Sequence, residues 1–156
     1  MPGKHGPNRL GNYLDVHESH IADLIANGFV VEDQSQFTFL PGHVVLEGVI
    51  VCLDRITLDV RKEIEVLDGR GISARVRTRR FRYHAWLRGV YNVLRYESAH
   101  EHRPNPHKHV YDTFGHGRET AVVDLMKEDD VPTLGEVLRE LQAWHEANAA
   151  RLKYLK

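Results

Sequence analysis

A single cysteine, Cys52, leaves no partner for an internal disulfide, which sets aside the small stapled scaffolds of secreted proteins. It sits in the apolar run Val49-Ile50-Val51-Cys52-Leu53 and reads as a small buried hydrophobe rather than a nucleophile. No stretch approaches the roughly 20 apolar residues that a bilayer-crossing helix needs, so no membrane association is expected. The opening Met1-Pro2-Gly3-Lys4-His5-Gly6-Pro7 lacks the apolar core of a signal peptide. Together with the lone thiol, this gives a cytoplasmic expectation. Internal repeats and low-complexity tracts are absent too, so nothing signals a solenoid or a second domain. Acids are missing from Gly69 to Tyr96, where eight arginines fall: Arg70, Arg75, Arg77, Arg79, Arg80, Arg82, Arg88 and Arg95.

What is present fits one globular domain of 156 residues, 42% hydrophobic and 28% charged. The formal net charge of -1 hides a segregation of sign. Opposite the basic stretch, Glu119 to Glu146 carries eight acids against Lys127 and Arg139. A basic tract in a near-neutral chain attracts a local anionic partner, or the acidic part of a neighbouring protein.

Residues 1–14, rich in Gly, Pro and Asn, read as a flexible arm, and residues 15–156 as a single α+β domain. Val16, Ile21, Leu24 and Ile25 predict a short helix from Asp15 to Asn27, capped by Asp15 or Ser19 and stopped by Gly28. Short strands are expected at Phe29-Val30-Val31 and Phe37-Thr38-Phe39. An antiparallel meander of about five strands follows. Its strands run over His43 to Leu53, Ile56 to Val60, Ile64 to Val66, Ile72 to Trp86 with a bend near Arg79-Arg80, and Val90 to Tyr96. Residues 98–117, with two prolines, read as a loop at least as far as Lys108, and Ala121-Val122-Val123 as a short strand. Thr133-Leu134-Gly135-Glu136 is a capping box opening a long amphipathic helix with Leu134, Val137, Leu138, Leu141 and Leu152 at helical spacing. Strands first and a long helix last argue for an antiparallel sheet with its helices packed on it.

Arg75, Arg77 and Arg79 are spaced by two, so a regular strand would project them from one face about 7 Å apart. Guanidinium groups without local acids become favourable beside a polyanion, and Arg suits bidentate phosphate contact. Phe81, Tyr83, Trp86, Tyr91 and Tyr96 lie nearby for base stacking. The competing arrangement pairs the arginines with Asp59, Glu63 and Glu65 of a neighbouring strand.

Five histidines follow within seventeen residues: His100, His102, His107, His109 and His116. One chemistry that uses such a cluster is RNA cleavage without metal or cofactor. A neutral His takes the 2′-hydroxyl proton, a protonated His supplies the leaving oxygen, and a cation stabilises the charge gathering on phosphorus. His107 and His109 are the leading acid and base, with His100 close behind, and Arg95 and Lys108 supply the positive charge. A second chemistry is metal binding through the His-x-His pairs, with Glu97, Glu101 and Asp112 as available carboxylates. A non-catalytic RNA- or partner-binding module is a third reading, and a polar loop without a role is the bland one.

Arg82-Tyr83-His84, then Leu94-Arg95-Tyr96-Glu97-Ser98-Ala99-His100, then Pro106-His107-Lys108-His109 resemble the TumE family of bacterial toxin–antitoxin toxins in order and approximate spacing. Glu97-Ser98 stands where the family carries Asp-Asn. The resemblance covers about residues 43 to 143. It implies a toxin acting on RNA, neutralised by a helix-turn-helix antitoxin. Carried over by position, the candidates are Arg82, Tyr83, His84, Arg95, His100, His107, Lys108 and His109. Arg75, Arg77, Arg79, Arg82, Tyr83 and His84 are the expected RNA-binding set. The sequence leaves a homodimer open.

Overall fold

The computed structural model describes residues 5–155. The chain folds as β1 (Asn8–Arg9), α1 (Leu10–Ala26), β2 (Val30–Asp33), β3 (Gln36–Leu40), β4 (His43–Cys52), β5 (Ile56–Asp68), β6 (Arg75–Leu87), β7 (Tyr91–Glu97), β8 (His107–Asp112), β9 (Arg118–Asp124) and α2 (Leu134–Leu152). All strands pair antiparallel in one nine-stranded sheet of order β2-β4-β5-β6-β7-β8-β9. Strand β3 shares an edge of β4 with β2, and β1 pairs with the start of β6. The α+β expectation holds, but the sheet is larger than the expected five strands. The stretches at 56–60 and 64–66 are one continuous strand, and β8 lies partly within the stretch read as a loop.

The arm expected over residues 1–14 is shorter. Residues 1–4 lie outside the described residues, Asn8-Arg9 pairs with Val76 and Arg75, and the helix already begins at Leu10. Leu10 explains this, since it is buried against Val44, Ile64 and Val76 and anchors a first turn that has no side-chain cap. Gly28 closes the helix with a left-handed φ of +85° that glycine adopts at no steric cost.

Alternation decides which way each strand faces. On β5, Leu58, Val60 and Lys62 are buried beneath the helices, while Asp59, Arg61 and Glu63 face outward. Their partners on β6 follow suit: Ala85, Tyr83 and Phe81 inward, and His84, Arg82 and Arg80 outward. The inward set packs with Ile21 and Leu24 of α1 and Val137, Leu138 and Leu141 of α2. Cys52 belongs to this core, 2% exposed, and burial pushes its thiol up to about 12. One face of the sheet is therefore covered by helices, and the other is polar and open.

At the expected bend, Thr78 pairs with Ile64 and Arg80 with Glu63, which leaves Arg79 as an extra residue. This bulge changes the parity of the strand, so that Arg75 and Arg77 before it share the outward face with Arg80 and Arg82 after it. The β6–β7 connection turns through Arg88 and Gly89, both at positive φ.

Candidate functional site on the open face of the sheet

Two rows of paired residues cross β6, β7 and β8 on the open face. Arg82 pairs with Glu97, which pairs with His107; His84 pairs with Arg95, which pairs with His109. Directly opposed residues in adjacent strands point to the same side, so all six side chains meet there. The row of arginines and the imidazole cluster thus share one surface.

Glu97 is its centre. His107 Nε2 lies 3.0 Å and His109 Nε2 2.9 Å from the same oxygen, Glu97 Oε1, while Arg95 donates to Oε2 at 2.8 Å. The exposed His100 brings its Nε2 to 3.7 Å from Oε1. Burial by itself would raise the Glu97 carboxyl. The hydrogen bonds from Arg95, His109 and His107 outweigh that and hold it down to about 2, so it is an anion at neutral pH. The far nitrogens of both rings also face acceptors. His107 Nδ1 lies 3.0 Å from the Asn105 carbonyl, and His109 Nδ1 meets the Glu119 carboxylate.

The sequence-selected residues divide. Arg82, His84, Arg95, His100, His107 and His109 are gathered at this cluster. Lys108 is not, which corrects its expected role. Alternation along β8 turns it to the helix side, where it binds Glu140 at 3.1 Å and lies over the Tyr96 ring. Tyr83 is 1% exposed in the core, so it offers no ring for stacking on a base. Arg75 and Arg77 lie on the open face, but neighbouring carboxylates hold them: Asp68 at 2.9 Å and Glu65 at 3.2 Å. Arg82 is looser, 4.0 Å from Asp59, and among the described residues no acid lies within ion-pair distance of Arg79 or Arg80. His107 is on the open face yet 0% exposed, sealed by its neighbours. No hydrogen bond or ion pair joins His102 or His116 to Glu97 among the described residues.

His84 hydrogen-bonds Asn92 at 2.8 Å and stacks on Trp86 with ring centroids 3.7 Å apart. Burial, aided by the charges of Arg95 and Arg82, pushes its imidazole below the ordinary value despite the Asn92 contact. Tyr111 lies parallel to both His84 and His109, so flat rings extend along this face.

Sequence reading placed Glu97 only among available carboxylates and passed over Glu119. The signal for Glu97 is its spacing of two from Arg95, matching the spacing of His107 and His109. Its use required the register between β7 and β8. Among the described residues, Glu97, His107 and His109 could hold a metal ion, each presenting one ligand atom, all within 4.8 Å of one another. No protein-family model, curated protein or solved structure matches the chain.

Proposed function

We propose that the protein cleaves RNA at the Glu97 cluster, as the toxin of a toxin–antitoxin pair. The observation that carries this reading is the pair of rows Arg82–Glu97–His107 and His84–Arg95–His109, which sets guanidinium, carboxylate and imidazole groups side by side on an open surface. The residues that carry the TumE resemblance lie on these same three strands and the loop between them. A polynucleotide laid along β6 meets Arg79 and Arg80, which no acid among the described residues neutralises, then Arg82, with Trp86 and Tyr111 as flat surfaces for bases.

In the reaction proposed, the 2′-oxygen of a ribose attacks the adjacent phosphorus and loses its proton to a base. The bond from phosphorus to the 5′-oxygen breaks, and that oxygen takes up a proton from an acid. Products end in a 2′,3′-cyclic phosphate and a 5′-hydroxyl. His100 is the imidazole placed for proton exchange with a substrate, since it is exposed and beside Glu97. His107, sealed and held from both sides, acts on the arrangement of the site rather than on RNA. Arg82 and Arg95 offset charge on the phosphorane.

The test is incubation with defined RNA and with DNA of the same sequence, reading fragment ends. RNA should be cut and DNA left whole. Glu97→Gln and Arg82→Ala should slow cutting by about 100-fold and about tenfold. Salt-sensitive RNA binding without any product would instead assign a binding module. A helix-turn-helix partner that relieves growth arrest on co-expression in the cytoplasm would support the toxin reading.

A further inference from the structure

We infer that Glu97, His107 and His109 form a binding site for a first-row divalent metal ion, with Asn105 and Glu119 orienting the two imidazoles. This deepens the ribonuclease reading by giving its site a cofactor, and rests on that reading only for what the ion would do there.

The two imidazoles are held from both sides. Each ring of His107 and His109 faces an acceptor at both nitrogens. Asn105 contributes a carbonyl oxygen and Glu119 a carboxylate to the two Nδ1 atoms, while both Nε2 atoms converge on Glu97 Oε1. The His107 ring lies entirely out of solvent, and the Arg95 guanidinium holds the other oxygen of Glu97.

A divalent ion held by the two Nε2 atoms and Glu97 Oε1 binds the imidazoles in their neutral form. Each keeps its Nδ1 proton and donates it outward, His107 to the Asn105 carbonyl and His109 to the Glu119 carboxylate. Metal-bound histidines have this arrangement: the ring nitrogen away from the ion donates to a carbonyl or a carboxylate, which fixes the tautomer.

The three ligand atoms lie within 4.8 Å of one another, and both separations to the shared carboxylate oxygen fit right-angle coordination. Two ligand atoms each about 2.1 Å from one ion stand about 3.0 Å apart at right angles and about 3.4 Å apart at the tetrahedral angle. The Nε2–Oε1 separations here are 3.0 and 2.9 Å. Two histidines and one carboxylate on one side of an ion leave coordination positions open. His100 sits 3.7 Å from the same oxygen, near enough to approach the ion as a fourth donor or to serve a substrate bound to it. The open side of such an ion would face the surface that Arg82 borders.

The test uses the full chain stripped with chelator, titrated with Co²⁺ by visible absorption and with Zn²⁺ by calorimetry. One ion per chain should bind, with ligand-field bands of nitrogen–oxygen coordination. Glu97→Gln and His109→Ala should each weaken binding by about 100-fold. Glu119→Gln, which removes only the outer partner, should weaken it by about tenfold. His43→Ala, remote in register from the cluster, should bind as wild type. Circular dichroism and melting establish that each variant is folded. Failure of folded wild type to bind stoichiometrically at about 100 µM overturns the inference, as does undiminished affinity in His109→Ala. Stoichiometric Co²⁺ binding without RNA cleavage supports the ion site and removes the ribonuclease reading. Full-rate cleavage by ion-free protein keeps the ribonuclease reading and removes the ion's part in it, while the titration alone decides the site.

Discussion

Lys108 and Glu140 meet on the helix-covered side of the sheet, with the Tyr96 hydroxyl donating to the same carboxylate at 2.8 Å. Both charged groups keep partial contact with water, so the pair contributes at most about 1 kcal/mol. Lys108→Met should therefore lower the melting temperature by a few degrees and leave RNA cleavage at the wild-type rate. A large loss of cleavage in a folded Lys108→Met protein would return the lysine to the site. Lys62 poses the opposite problem. It is 5% exposed, among the described residues it has no acid within ion-pair distance, and its Nζ lies 4.7 Å from the Tyr13 ring centroid. Burial pulls its pKa down to about 8 from an ordinary 10.5. Below the lower value the amine is charged in folded and unfolded chains alike, and the folded state bears the full cost. Between the two values the folded chain releases the proton while the unfolded chain keeps it, so stability rises with pH. Lys62→Met should be more stable than wild type at pH 7 by ~1–3 kcal/mol, with the margin shrinking towards pH 10.5 in urea unfolding. A margin that stays level with pH would refute this.

Among the elements, α2 is the one whose limits are written locally. Thr133 accepts from the Glu136 backbone and Glu136 from the Thr133 backbone, and the helix starts at the next residue. Thr133→Ala removes half of that exchange and should cost about 1 kcal/mol by chemical denaturation. An unchanged midpoint would mean that burial of Leu138 and Leu141 alone sets the helix start. The start of α1 was hidden for the matching reason: Arg9 provides no cap, and the signal is the burial of Leu10 by strands more than thirty residues away. Strand β8 was hidden because proline and histidine dominate its approach, while its pairing with β7 and β9 fixes it as a strand. The break of alternation at Arg79-Arg80 was visible as a bend, and the extra residue is its physical form.

Across the whole molecule, the two-sided character of the sheet was legible from alternation, and so was the existence of a histidine cluster. Its organisation was not. That one carboxylate serves two imidazoles and a guanidinium depends on which residue of β7 stands opposite which residue of β8, a relation no local pattern carries. The same non-local pairing divided the arginines into those held closely by β5 carboxylates, Arg75 and Arg77, and those held loosely, Arg82, or by no acid among the described residues, Arg79 and Arg80. This division predicts the salt dependence of RNA binding. With Arg79, Arg80 and Arg82 as the available cations, log affinity should fall with log salt with a slope near −2, at about −0.7 per neutralised phosphate of a single strand. Arg80→Ala should make the slope shallower by about 0.7, while Arg75→Ala should leave it unchanged. Equal effects from both would mean that the β5 carboxylates do not hold Arg75 in solution.

The sealed thiol of Cys52 has a practical side. A sulfhydryl that neither ionises nor meets reagent leaves the surface free of competing nucleophiles of its kind. Val123→Cys, at a half-exposed position on β9, would then accept a maleimide fluorophore at one defined place, and the dye's emission would report any chain that docks along that margin of the sheet.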